Sequence, residues 1–162
     1  MKSGVIYIFL LFLVACNSNP YPDYSKAKDG SIYYRLFMFG DDRHKPEAGD
    51  YITADIAYQT MDDSVFFRGK RTFQLAKSEF DGSIESCFMM LAEDDSASFI
   101  ISADGLFNRT LDTKLPSFIP ENSNMKVGIR MHMIRSAEEY KREKEEFLAW
   151  IEDFGEYEQT VL

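Results

Sequence analysis

Lys126-Val127-Gly128-Ile129-Arg130-Met131-His132-Met133 alternates apolar and polar residues without a break. Strict period-two alternation puts Val127, Ile129, Met131 and Met133 on one face of an extended chain, so the segment reads as a strand with one face buried and one wet. Just beyond it, Ser136-Ala137-Glu138-Glu139 is a capping box, in which a serine and a glutamate three residues apart each satisfy the other's free backbone N–H. The helix it starts is expected to run to about Phe154 and to end at Gly155. Its first half is nearly all charge, while Phe147, Leu148, Ile151 and Phe154 form an apolar stripe that should dock on the body or on a partner.

Upstream of that strand the chain is irregular from Ala103 to Ser123, with Pro116 and Pro120, and before it Ser96 to Ser102 carries the β-rich Phe99-Ile100-Ile101. Ile84, Cys87, Phe88 and Leu91 recur at i, i+3, i+4 and i+7, one stripe of a short helix, with Ser78 as its expected cap. Thr72 to Leu75 reads as a short strand of its own, separate from Val65-Phe66-Phe67. Tyr51 to Gln59 is a further strand, with Ile52, Ala54, Ile56 and Tyr58 on its apolar face, and Ile32 to Phe39 is the first. Several strands, one short helix, a long loop and a closing amphipathic strand imply an α+β fold, an antiparallel sheet wrapped around a short helix.

The start of the chain carries an address. Lys2, the apolar run Val5 to Leu13 and then Leu13-Val14-Ala15-Cys16 have the layout of a bacterial lipoprotein signal, whose cysteine becomes the lipidated first residue. The run is too short for a spanning helix, which needs roughly 20 apolar residues. This predicts a signal peptide over 1–15, a polar, proline-punctuated tether over 16–29, a domain over 30–135 and a helical extension over 136–162. It also predicts a cell-envelope location on the periplasmic side. Asn17, where some bacteria use an aspartate for inner-membrane retention, favours the outer membrane.

Removal of residues 1–15 takes Lys2 and no acid, so the formal charge falls from -9 to -10, which disfavours nucleic acid as a partner. With Cys16 lipidated, Cys87 has no disulfide partner and reads as a buried inert thiol. His44 and His132 lack metal-ligand spacing, and the clusters Asp62-Asp63 and Glu93-Asp94-Asp95 lack the glycine and glutamate of an EF-hand loop. No metal or cofactor is expected.

Blocks along residues 30–134 resemble FKBP-type peptidyl-prolyl cis-trans isomerases exported by gram-negative bacteria. They are Gly30-Ser31-Ile32-Tyr33-Tyr34, Pro46 with Gly49-Asp50-Tyr51-Ile52-Thr53, Asp62-Asp63-Ser64-Val65-Phe66, Phe73-Gln74-Leu75, Phe80-Asp81-Gly82, Ser98 to Asp104 with Phe107, and Phe118-Ile119-Pro120. The resemblance implies an FKBP-like domain that rotates X-Pro bonds in proline-containing unfolded or exported polypeptides, with no metal. It places Phe66 and Phe73 at pocket phenylalanines, Ile119 at the isoleucine whose backbone N–H grips the ligand, and Phe80 at a ligand-contacting aliphatic position.

The departures are as specific. The second-strand tyrosine falls on Ile56, or on Tyr58 after a two-residue shift; the aspartate after the pocket phenylalanine is Phe67; the floor tryptophan is Ser83. The hydroxyl-bearing loop tyrosine is Phe107, and the last-strand phenylalanine is Val127. Ile84 or Met90 is expected to refill the floor. These changes imply a weak or altered isomerase, or alternatively an inactive FKBP-like chaperone or envelope-complex subunit, and the C-terminal helix suggests a homodimer.

Overall fold

The computed structural model describes residues 19–161 except 29, 42 and 43, with side chains described as far as Phe154. The signal-like segment and Cys16 lie outside the described residues. Six strands form one antiparallel sheet: β1 Ser25–Lys26, β2 Tyr33–Met38, β3 Tyr51–Gln59, β4 Val65–Gln74, β5 Ser96–Ser102 and β6 Asn124–Arg135. Their spatial order is β1-β2-β5-β6-β3-β4, so the closing strand β6 lies between β5 and β3. A short helix, α1 (Ile84–Phe88), packs on the inner face, and a long one, α2 (Ala137–Val161), follows β6.

The alternation read in the sequence sets the core. Ile52, Ala54 and Ile56 of β3 and Val127, Ile129 and Met131 of β6 turn inward with Phe99 and Ile101 of β5 and the α1 stripe Ile84, Cys87, Phe88. Burial of the larger of these side chains, worth about 1.5–3 kcal/mol each, is what the sheet relies on. Cys87 is a fully buried thiol within this core.

Four readings change. Residues 65–74 form one strand, where the sequence suggested two short pieces, because Gly69 and Arg71 occupy the positions opposite Ile56 and Ala54 and hide the alternation. Ser83, not Ser78, caps α1; its side chain accepts from the Ser86 backbone N–H, while Ser78 Oγ donates to the Phe80 carbonyl. Gly155 does not stop α2, which continues to Val161.

The fourth concerns the expected tether. Tyr21 meets the Tyr33 ring edge-on at 4.9 Å, and its hydroxyl accepts from Asn124 Nδ2 at 2.8 Å. Tyr24 and Ser98 share a hydroxyl hydrogen bond of 2.9 Å, and β1 pairs with β2. Residues from Asn19 to Lys26 are therefore strapped to the sheet.

Helix α2 begins with the capping box. The Glu139 backbone N–H donates to Ser136 Oγ at 3.2 Å, and the Ser136 N–H donates to Glu139 Oε2 at 2.9 Å. That Ser136 N–H foremost, and then the Ser136 hydroxyl, which also donates to Oε2 at 2.9 Å, hold the Glu139 carboxyl below its usual range. Tyr140 stacks on Tyr51 at 3.9 Å and Glu143 pairs with Arg135 at 3.0 Å. From Lys141 to Phe154 every residue is exposed, so the apolar stripe does not dock on its own body.

Candidate functional site

Two consecutive phenylalanines on one strand ordinarily face opposite ways. Tyr58 pairs with Phe67 but Gln59 pairs with Val65, so Phe66 is the extra residue of a β-bulge. A bulge re-aims side chains that regular pairing would separate, and both Phe66 and Phe67 border the same cavity. Phe107 arrives from the other side on a π-helical turn, Gly105–Thr110, closed by the Leu111 N–H donating to the Leu106 carbonyl at 2.9 Å. The sequence read this stretch as irregular loop.

The result is an open, mostly apolar pocket of about 770 Å³ between the inner face of β3 and β4, helix α1 and the 103–123 segment. Ile56, Ile84, Phe73 and Phe88 form its base, with Phe73 and Phe88 meeting edge-on at 5.3 Å. Phe66 lies 6.4 Å from Phe107 and 5.3 Å from Phe118, which leaves aromatic walls around a space open to solvent. Tyr58 packs 5.0 Å from Phe67, whose other neighbour is the Arg71 guanidinium at 5.3 Å. Arg71, Gln74, Glu85 and Thr110 supply the polar rim.

Seven of the residues singled out from sequence thus converge: Ile56, Tyr58, Phe66, Phe67, Phe73, Ile84 and Phe107. Ile56 and Tyr58 both line the pocket because inward positions on β3 are two residues apart. Three others are elsewhere. Val127 is fully buried under the sheet, paired with Tyr58 and Phe99, and does not reach the pocket. Phe80 sits beneath Arg109, whose guanidinium is 3.7 Å from its ring, and borders only side clefts.

Ile119 is buried beside a smaller cleft with Met61 and Met125. Its backbone N–H, the donor implied by the resemblance, is spent within its own loop on the Pro116 carbonyl at 2.9 Å.

Ser83 stands where the resemblance implies a tryptophan. It is buried and bonded to Ser78 and Ser86, and Ile84 with Phe88 supplies the floor; Met90 does not line it. Sequence reasoning missed Phe88, Leu111 and Phe118 as pocket residues. Phe88 was visible as part of the α1 stripe, whereas Leu111 and Phe118 lie on irregular backbone that gives no periodic signal.

One hydroxyl stands among the rings, that of Tyr58. Burial foremost, then the nearby Glu85 carboxylate, raises its pKa above the ordinary tyrosine value, so the phenol stays a neutral donor. Among the described residues no group of three or more His, Cys, Asp or Glu is placed to hold a metal ion, and no helix is long and apolar enough to cross a membrane.

No protein-family model matches the sequence, and no curated protein matches it. Solved structures do resemble it. FkpA from Escherichia coli aligns with a TM-score of 0.56 at 12% identity, over 73% of this chain and 54% of FkpA. A peptidyl-prolyl cis-trans isomerase from Pseudomonas syringae pv. tomato aligns with a TM-score of 0.56 at 14% identity, over 72% of this chain and 84% of its own. The three FKBP domains of wheat FKBP73 align with a TM-score of 0.55 at 13% identity, over 70% of this chain and 49% of theirs. The chain thus spans about half the length of the first and third of these structures. The fold is FKBP-like, α+β.

Proposed function

We propose that the protein is a peptidyl-prolyl cis-trans isomerase acting on proline-containing segments of exported, unfolded polypeptides, and that lipid on Cys16 holds it at the periplasmic side of the envelope, on the outer membrane. The convergence of Phe66, Phe107, Phe73 and Tyr58 on one open apolar pocket carries the catalytic half of this reading. The lipoprotein layout of residues 2–16 carries the other half.

Rotation about an X-Pro bond breaks amide resonance, with a barrier of about 18–20 kcal/mol. No nucleophile or metal is needed to lower it. A twisted imide has lost conjugation, and an apolar cup suits it better than water does. Phe66, Phe73, Phe88 and Phe107 would enclose the proline ring, and Ile56 and Ile84 would support it from below. Tyr58 would donate to the carbonyl oxygen before the proline, the position where charge changes as conjugation is lost. A protease-coupled assay with a proline tetrapeptide and the full chain in neutral detergent tests this: the protein accelerates cis-to-trans conversion at micromolar concentration, and Phe66→Ala reduces the acceleration at least tenfold. No acceleration by the unaltered chain sinks the catalytic reading.

A second reading, a non-enzymatic chaperone or envelope-complex subunit, is favoured by one observation. Two of the donors the resemblance implies are not on offer, since Phe107 has no hydroxyl and the Ile119 N–H is engaged by Pro116. Suppression of client aggregation without any isomerase activity supports this alternative.

A further inference from the structure

The chain carries two exposed surfaces that its own fold leaves without a partner and whose charges are opposite. The first is the outer face of the sheet. There Ala57 of β3 and Gly128 of β6 are register partners, and they floor a groove of about 450 Å³. Phe37, 59% exposed, stands at one end. Arg68, Lys70 and Arg130 line the groove and are all exposed. Asp55 is the one carboxylate on the groove; His132 Nε2 bonds it at 2.7 Å, and that bond, foremost, holds the carboxyl below its usual range.

The second surface is the far half of α2. Phe147, Trp150 and Phe154 stack in sequence along one side, with centroid separations of 6.1 and 5.7 Å, yet all are at least half exposed. Beyond Lys144 the chain has Glu145, Glu146, Glu152, Asp153, Glu156 and Glu158 and no Lys or Arg. Its aromatic stripe is therefore set in a wholly acidic context. Such a helix is repelled by anionic lipid headgroups and attracted by a basic groove.

We propose that these surfaces meet between two copies of the chain, the acidic aromatic half of α2 of each copy lying across the basic outer sheet groove of the other. Shape and charge agree. Small residues at the floor admit large rings, and three guanidinium or ammonium groups flank the place where carboxylates would lie. A reciprocal two-fold exchange satisfies both surfaces of both copies and closes the assembly, so it does not propagate into fibres. The pairing leaves the aromatic pocket on the inner face open.

Sedimentation equilibrium of the full chain in density-matched neutral detergent tests the contact. A dimer is expected, and its dissociation constant rises as salt is increased from 0.05 to 0.5 M, an order-of-magnitude range over which charge screening grows strongly. Trp150→Ala and the pair Arg68→Glu with Arg130→Glu each raise the constant at least tenfold. Gly128→Leu does the same by filling the groove, at a position where an added Cβ makes only ordinary contact. Circular dichroism confirms that each variant is folded. A monomer at 100 µM overturns the proposal, and so does a dimer that Trp150→Ala breaks but the groove variants leave intact, because that outcome means stripe-to-stripe pairing of helices. A dimer indifferent to all of them overturns it equally.

Discussion

The molecule displays aromatic rings in two places, and they are held in opposite ways. In the pocket, Phe66, Phe73, Phe88 and Phe107 come from three separate elements, each ring positioned by long-range pairing, a bulge or a π-turn. On α2, Phe147, Trp150 and Phe154 come from a single helix and touch mainly each other. The first set is therefore part of the global fold, while the second needs only that one helix form. Rings that are costly to assemble make a preorganised cup, and rings that are cheap to assemble make an adaptable surface.

Substitutions can break this contrast. Phe88→Ala removes a buried ring under the pocket and is expected to cost about 3–5 kcal/mol, read as a large drop in the thermal midpoint; a loss near zero would mean that the base of the pocket is not part of the core. Ser136→Ala removes the α2 cap and should cost about 1 kcal/mol, seen as loss of helical ellipticity. The body should keep its near-ultraviolet signal. Acidification should mimic this change in part. The Glu139 carboxyl is held low by Ser136, so its support of the helix is present above the ordinary glutamate value and is lost as pH falls through its own lowered one. Glu139→Gln should abolish that acid response.

Within the pocket, Tyr58→Phe should lower kcat/KM by a factor of about two to ten, the kinetic equivalent of one neutral hydrogen bond, and leave unfolding nearly unchanged. An unaltered rate would remove Tyr58 from the donor role. Because its pKa is raised, the wild-type rate should also hold steady up to the ordinary tyrosine value near 10 and decline only above it. Trp150→Ala sits at the end of the scale. At sub-micromolar protein it should change the unfolding free energy by less than about 0.5 kcal/mol, as an exposed site does.

The same contrast explains what the sequence could reveal. Strands β3 and β6 are legible because each has one more buried face, and the burial of Ile52, Ala54 and Ile56 and of Val127, Ile129 and Met131 follows the alternation; beyond Met131 a register shift against β3 breaks it, and Ile134 is buried where Met133 is expected. Strand β4 is not, since Gly69 and Arg71 take the positions opposite Ile56 and Ala54, and Arg71 stands at the pocket edge, where solvent is close and an apolar residue is not required. The strap from Asn19 to Lys26 depends on Tyr24 meeting Ser98 and Tyr21 meeting Asn124, contacts across 74 and 103 residues that no local pattern encodes. Among pocket residues, those on β3 and β4 and Ile84 of α1 are legible through periodicity together with family resemblance, whereas Phe88 of α1 is not singled out and Val127 of β6 lies outside the pocket. Ile119 was misjudged because a turn hydrogen bond, invisible in sequence, consumes its N–H.

The strap also sets a length. With Tyr21 and Tyr24 fixed on the sheet, the chain between Cys16 and Asn19 is three peptide units, and at 3.8 Å per unit it spans no more than about 11 Å. A lipid on Cys16 would then hold this body as a short mooring line holds a hull, close against the bilayer and with little room to swing. Client chains would have to come to the membrane surface to be reached.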